Sequence, residues 1–577
     1  MSDRVHYDVD LTDRVQHLVH VTMTVPQRFA PDARIEMATW TPGSYVLRHY
    51  ARHVQWISAT DDRGPVACVP EGLGAWRLAT DIEGDVRVEL ELYANELSVR
   101  TNHVDDHHAL LVAAATFPFV AEARDVEHTV AFPGIDDTPV HALLPVVDGS
   151  WRARDLDHLI DSAFEVGDFP SVTFDVAGVA HTFVWSGHGR SPDLDRLADD
   201  VTAIAEASCR VFDTAPPAAS YTFLCTGWDQ GGGGLEHRDG AVLQVPVHAF
   251  GDDDRYARVL ALIAHEYFHQ WNVTRMTPAA LTRPDYTHAT LSASLWVAEG
   301  WTAYYDELLV TRAARWNARR FVDHLAEAVA TVDAAPGTLR HALRDASNEA
   351  WIKHYLPTEN AVNATTDYYQ HGAVVAFELD LRLRAAGIES GLDAVARALW
   401  QRFGDDSNGY DEADVLAMIA AVGGDDIAER IDARVGRPSG PEIDNRLLST
   451  VGLQWQTRPS STPDLGAQVR DEGGRVVVAS VFRDRPAWRA GMTGGDEMLA
   501  LDGTTVITAK ELDAALATYN AGDTIAVTVR RGPRVRTLDV ALAAPRPARR
   551  LVPDPDASLQ ATAQFTAWTG HDLASLD

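Results

Sequence analysis

The sequence predicts a multidomain α+β protein with a β-rich N-terminal domain, a mainly helical middle and a small C-terminal domain of short strands. Three observations predict it. Apolar and polar residues alternate with period two through residues 1–165. Helical stripes take over beyond Pro192 and dominate to about residue 435. Short strands divided by turn residues return after Pro438-Ser-Gly-Pro441. A chain of 577 residues has room for three or four domains, and 46% hydrophobic residues allow each a full core.

In the first domain, 1–165, Val5, Tyr7, Val9 and Leu11 form one alternating run. Val19, Val21, Met23 and Val25 form a second, and Val86, Val88, Leu90 and Leu92 a third, with turn clusters such as Asp61-Asp62-Arg63-Gly64 between runs. A β-sandwich or similar two-layer sheet follows. Trp40-Thr-Pro-Gly-Ser-Tyr45 reads as a rigid turn bracketed by aromatics, structural rather than functional. The second domain, 166–437, opens with a helical stripe of Leu197, Val201, Ile204 and Val211, then a short strand at Tyr221–Cys225 and a glycine run, Gly231 to Gly234. A later helix starts near Tyr368 and carries Phe377, Leu379, Leu381 and Leu383. The third domain spans 445–546. The remainder, 547–577, is low in pattern and expected to run partly extended over the surface.

The densest chemistry is at His265-Glu-Tyr-Phe-His269. Histidines at i and i+4 lie on one helical face, where a tetrahedral Zn²⁺ can take both imidazoles. Asp252, Asp253 and Asp254 suit the start of that helix, and Tyr256 to Trp271 contains no Gly or Pro. Glu266, beside the first histidine, is placed to take a proton from an attacking water. Thirty residues after His269 comes Glu299, in Trp296-Val-Ala-Glu-Gly-Trp301. It would complete a His₂Glu set with one open position, the pattern of a catalytic zinc rather than a structural one. A surface helix with two idle histidines is the plainer alternative. The apolar setting (Val259, Leu260, Leu262, Ile263) and the downstream Glu299 weigh against it.

These segments resemble the gluzincin metallopeptidases, with a thermolysin-like catalytic domain. Glu299-Gly-Trp-Thr-Ala-Tyr-Tyr305 is similar to their third-ligand helix, and the long spacing with Trp-x-x-Glu-Gly resembles the PDZ-containing glycyl aminopeptidase family. Gly233-Gly234-Leu-Glu236-His237 is similar to the Gly-x-Met-Glu-Asn motif of aminopeptidase N. The resemblance implies that Glu236, beside the flexible backbone of Gly233 and Gly234, holds a substrate α-ammonium and fixes the cut at the first peptide bond. Tyr369-Gln-His-Gly372 resembles a Tyr-x-Lys-Gly segment, which makes Tyr369 the implied oxyanion donor. Tyr368 is its neighbour and competitor, and His371 stands where lysine is usual. Pro486-Ala-Trp-Arg-Ala-Gly491 and Gly495 to Gly503 resemble a PDZ domain, with Val451-Gly-Leu453 at its carboxylate loop. Such a domain can take a peptide C-terminus or serve only as scaffold.

Composition narrows the partners. A net charge of −33 argues against nucleic acid and anionic membranes. Cys68, Cys209 and Cys225 make no disulfide framework. No leader pattern opens the chain and no run of eighteen apolar residues occurs, so a cytoplasmic location is expected. The resulting expectation is a zinc aminopeptidase with one Zn²⁺ per chain, peptide substrates and, by resemblance, a preference for N-terminal Gly or Ala. The alternatives are an endopeptidase of the same fold, or a PDZ peptide-binding protein with a vestigial metal site.

Overall fold

The computed structural model describes residues 4–135, 138–188, 191–229, 231–405 and 408–576. Met1–Asp3 and Asp577, which the sequence reading included in the first domain and the tail, lie outside the described residues. The chain divides into two compact units. The first comprises Met1–Ser292, Tyr305–Trp316 and Ala396–Asp411; the second comprises Ala293–Tyr304, Asn317–Val395 and Glu412–Asp577. Segment 166–437 contributes to both.

The first unit opens with an eight-stranded sheet built on the alternating runs. Strands Val5–Asp10, Leu18–Val25 and Val86–Tyr93 are neighbours in it. The register pairs Val19 with Leu92, Val21 with Leu90 and Met23 with Val88, so the apolar positions share one face. All six are buried. Two four-stranded sheets complete this part. Tyr7 on the buried face donates to Pro118 O (2.9 Å), and Phe132 packs on Phe164 at 5.5 Å, joining the layers. A five-stranded mixed sheet follows, in the order Ser171–Val176, Val179–Trp185, Ser220–Trp228, Gly240–Pro246, Gly233–His237. The glycine run thus begins the edge strand. Helix Leu194–Phe212 buries Leu197, Val201, Ile204 and Val211, the predicted stripe. Helix Asp253–Phe268 is capped by Asp252, whose side chain accepts from Arg255 N, and buries Val259, Leu260 and Ile263.

The second unit holds the helices Ala318–Ala334, Tyr368–Ala385, Glu412–Gly423 and Asp425–Gly436. Asp367 caps Tyr368–Ala385 by accepting from Tyr369 N. The same unit holds the C-terminal strands, a six-stranded sheet with Val476, Val478, Met498, Val527 and Val529 in its core. Asn363 ties this sheet to the helices, donating to Val481 O (2.7 Å) and accepting from Arg483 N (2.8 Å).

Two expectations fail here. Leu453–Arg458 does not belong to the six-stranded sheet. It pairs with Ala548–Pro553 in a separate two-stranded ribbon, and a Cβ at Gly452 would sit 2.7 Å from Leu573 Cδ2. Val451–Leu453 is therefore packed against the C-terminal segment and is no carboxylate loop. The tail is extended only at Ala548–Pro553; beyond that it is helical and partly buried. Helix Leu559–Thr569 buries Phe565 and Trp568, and Trp568 stacks on Phe377 with centroids 5.6 Å apart. The sparse pattern of the tail hid two large aromatics at i and i+3, enough to make a short helix part of a core.

Replacing Trp568 by alanine is expected to cost roughly 3–5 kcal/mol of stability, as for other large buried aromatics. Urea unfolding measures it as a lower midpoint at unchanged slope. A shift below about 1 kcal/mol would return the tail to the surface.

Candidate metal and active site

Helix Asp253–Phe268 sets the histidines. His269 is its C-cap in right-handed helical conformation, so the i, i+4 relation survives the helix end. The two rings stand 4.8 Å apart by centroid, at 82°. Each has its Nδ1 engaged. His265 Nδ1 pairs with Asp306 Oδ2 at 3.0 Å, and His269 Nδ1 bonds Asn272 O at 2.8 Å. A carbonyl accepts only a donated N–H, so His269 carries its proton on Nδ1; the Asp306 carboxylate favours the same tautomer for His265. Nε2 is then the nitrogen each ring would present to a metal. Asp306 was not singled out from the sequence. The available signal was its position seven residues after Glu299, two turns on along the helix Gly300–Arg312.

The edge strand Gly233–His237 lies directly over Glu266. A Cβ added to Gly234 would overlap the Glu266 carboxylate, so only glycine lets the strand come this near. Arg100 Nη2 donates to Gly234 O at 3.1 Å, and a Cβ on Gly233 would lie 3.9 Å from Arg100 Nη1. Two strand positions on from Gly234, past Leu235, is Glu236. Its carboxylate lies with those of Glu266 and the ring of His269 in a cluster whose ligand atoms are all within 4.8 Å of one another. Glu236, Glu266 and His269 are buried. The strand is fixed beyond Glu236 as well, where His237 Nδ1 and Arg238 N both bond Asp161 (3.0 and 2.9 Å).

Glu236 also lines a cavity of about 240 Å³, with Trp40, Gly43, Tyr45, Arg275 and Tyr286 around it. The Trp40–Tyr45 turn, expected to be structural, therefore borders a predicted site residue.

Within the second unit, Glu299 sits between helices Leu295–Ala298 and Gly300–Arg312. Ala303 N donates to its carbonyl at 2.8 Å, so the helical ladder runs through it. Gly300 and Gly372 let this ladder meet helix Tyr368–Ala385 backbone to backbone. A Cβ on Gly300 would be 2.6 Å from Gly372 Cα, and one on Gly372 would be 2.9 Å from Trp296 O. That contact explains both glycines and sets Tyr369 near Glu299. Desolvation first, and the Glu299 charge second, push the Tyr369 phenol well above its ordinary pKa, so it stays a proton donor. Tyr368 is fully buried. His371, in the place of the usual lysine, is buried and bonded to Thr366 Oγ1 (3.0 Å), and burial drives its pKa down to about 3. It is a neutral packing residue.

Among the described residues of the first unit, two sets of side chains are grouped as candidates for one cation: Glu236 with Glu266 and His269, and His103 with Asp105 and His108. The last is occupied by a hydrogen-bonded chain from His103 to His108 (2.7 Å) and on to Glu165 (2.9 Å). Among the described residues no helix is long and apolar enough to cross a membrane.

Comparison with known proteins agrees with this layout. Family models match at residues 6–168, described as the peptidase M61 N-terminal domain, at 258–375, the M61 glycyl aminopeptidase, and at 463–542, a PDZ domain. A solved structure of an aminopeptidase N family protein from Idiomarina loihiensis is 26% identical, with TM-score 0.91, covering 98% of this chain and 100% of that one. Two serine proteases Do-like HtrA, from Lactococcus lactis subspecies lactis and cremoris, are 35% and 34% identical over 107 residues, or 18% of this chain. The chain spans about a quarter of the length of these curated relatives.

Replacing Asp306 with alanine is expected to weaken metal binding about 10–100-fold, the usual effect of losing a partner behind a histidine ligand. Competition with a chelator measures it, and circular dichroism should be unchanged. Wild-type affinity in the variant would remove Asp306 from the site.

Proposed function

We propose that this chain, which belongs to the M61 glycyl aminopeptidase family and carries a PDZ domain, is a zinc-dependent aminopeptidase that prefers N-terminal Gly or Ala. The observation that carries the exopeptidase reading is the closeness of Glu236 to Glu266 and His269, with ligand atoms within 4.8 Å. An amino acid's ammonium and carbonyl carbon are two bonds apart. A carboxylate that close to the general base can hold the ammonium only when the first peptide bond is the one cut. An endopeptidase needs that same space for the preceding residues of its substrate.

His265, His269 and Glu299 are the proposed zinc ligands. The donor set fits, because two nitrogens and one carboxylate oxygen suit Zn²⁺ and both imidazoles have their second nitrogen engaged. Zinc, when bound, polarises the scissile carbonyl and acidifies the attacking water. Glu266 takes the proton of that water and hands it to the leaving amine. Gly234, with no side chain, is what lets the edge strand lie against the Glu266 carboxylate. Tyr369 donates its hydroxyl to the oxyanion, and its raised pKa keeps it protonated throughout the neutral range. Glu236 anchors the ammonium. The PDZ domain is proposed to take a peptide C-terminus, and the match to a glycyl aminopeptidase model supports the proposed preference for small first residues.

Glu266→Gln should retain the metal and lose roughly 10²–10⁴ in kcat, the contribution of a positioned acid–base group; near-normal turnover would rule out this role. Tyr369→Phe should lower kcat by about 10²–10³ with little change in KM, while Tyr368→Phe stays mild. The reverse result would make Tyr368 the donor. A panel of aminoacyl reporters, each with its N-acetylated counterpart, tests the rest. Gly and Ala reporters should turn over fastest and blocked ones should be refused. Equal cleavage of blocked and free peptides would mean an endopeptidase, and faster cleavage of bulky first residues would overturn the Gly/Ala preference.

A further inference from the structure

We propose that Gly43 is a positioning residue: the turn Thr41–Tyr45 is the wall that sets the Glu236 carboxylate in register with Glu266. The proposal rests on the reading of Glu236 as the ammonium anchor.

Gly43 has φ +76°, in the left-handed region, at the tip of a turn closed by Ser44 N donating to Thr41 O (3.2 Å). The turn is held from outside. Trp40 Nε1 donates to Asp285 O (3.0 Å), and Trp40 and Tyr45 are buried. A Cβ built on Gly43 would overlap the Glu236 carboxylate, with Cδ and Oε1 both at 2.6 Å. The carboxylate therefore rests on the bare Cα of a pinned turn.

Glu236 cannot yield by moving its backbone. Arg100 holds Gly234 O, Gly234 lies on Glu266, and Asp161 holds His237 and Arg238 N. A methyl at position 43 would be relieved by the one soft element, the end of the Glu236 side chain. Displacing that carboxylate by about 1 Å shifts the ammonium and, with it, the scissile carbonyl relative to Glu266, an error of a size that costs about 10²-fold in rate. The residues that set the register thus come from two regions far apart in sequence, around 43 and 236. Both line the same cavity.

The test uses the full-length, zinc-loaded enzyme. Gly43→Ala is expected to lower kcat/KM on free-amine peptides about 10²-fold and to narrow the preference over N-acetylated ones, with zinc content unchanged. Glu236→Asp alone withdraws the carboxylate by one methylene and should also lose activity. Combined with Gly43→Ala it fills the space the aspartate leaves, so the double variant should recover at least about tenfold over Gly43→Ala, a rescue that simple damage to the turn does not predict. Pro42→Ala adds nothing beside Glu236 and only loosens the turn; it should narrow the same preference by less, and it carries the test if Gly43→Ala fails to fold. Three results overturn the proposal: unchanged selectivity in Gly43→Ala, equal loss on free and blocked peptides with no rescue by Glu236→Asp, or, where Gly43→Ala does not fold, unchanged selectivity in Pro42→Ala. Glu236→Ala separates the two levels. If it costs activity while Gly43→Ala does not, only the positioning role falls. If Glu236→Ala leaves free and blocked peptides alike untouched, the anchor reading falls and takes the positioning role with it.

Discussion

Two carboxylates and an imidazole crowd together at the edge of the five-stranded sheet, and that crowding constrains what surrounds it. Glu236, Glu266 and His269 are buried, with ligand atoms within 4.8 Å of one another. Two carboxylates at such a distance disfavour each other's ionisation where water is scarce. The arrangement persists because the backbone enforces it. Gly234 brings the edge strand onto Glu266, Arg100 grips that strand through the Gly234 carbonyl, and Asp161 fixes the two residues after Glu236. A pocket pre-organised around unfavourable negative charge is stabilised by cations, and the two that the proposed reaction brings are zinc and a substrate ammonium. A blocked amine would be a poor ligand, since it offers Glu236 no charge-assisted hydrogen bond.

The histidines show how the supporting residues do their part. An imidazole ligand needs one nitrogen deprotonated and aimed, and the other nitrogen decides both. Asp306 and the Asn272 carbonyl would take that role for His265 and His269, the proposed ligands. Phe268 adds rigidity by stacking on Tyr305 at 4.6 Å, next to Asp306 in sequence. Helix Asp253–Phe268 is thus bonded and stacked to Asp306 and Tyr305.

Much of this was legible because local chemistry and global fold agree. Asp252 caps the ligand helix and Asp367 caps the tyrosine helix where the sequence places the helix starts. Alternation in Leu18–Val25 and Val86–Tyr93 reads directly as one buried face, because period two has a single interpretation. Other features were illegible for definite reasons. The role of the Trp40–Tyr45 turn depends on contact with residue 236, a separation no local pattern encodes. The Val451–Leu453 segment looked like a loop of the C-terminal sheet, but its partner is Ala548–Pro553, and strand pairing across so many residues leaves no trace in either strand alone. Asp306 looks like any solvent-facing aspartate on a helix until His265 is placed against it.

The C-terminal helix extends this argument to the second unit. Trp568 Nε1 donates to Tyr304 OH (2.8 Å), and Tyr304 OH donates to Asp380 Oδ2 (2.5 Å). The other oxygen of Asp380 accepts from Arg384 Nε (3.0 Å) and Leu392 N (2.8 Å). Tyr304 lies on the helix that follows Glu299, and Asp380 on the helix that begins at Tyr368. A buried carboxylate is tolerable only while its partners stay in place, so this chain of bonds specifies one arrangement of the two helices rather than merely adding stability. Gly300 and Gly372 fix how near the helices come, and Asp380 with Tyr304 fixes their alignment along the contact. The placement of Glu299 and Tyr369 thus depends on Gly300 and Gly372 beside them and on the Tyr304–Asp380 bond further along the two helices. A segment at the far end of the chain, polar enough in composition to pass for a surface tail, holds the two helices that carry the proposed third ligand and oxyanion donor.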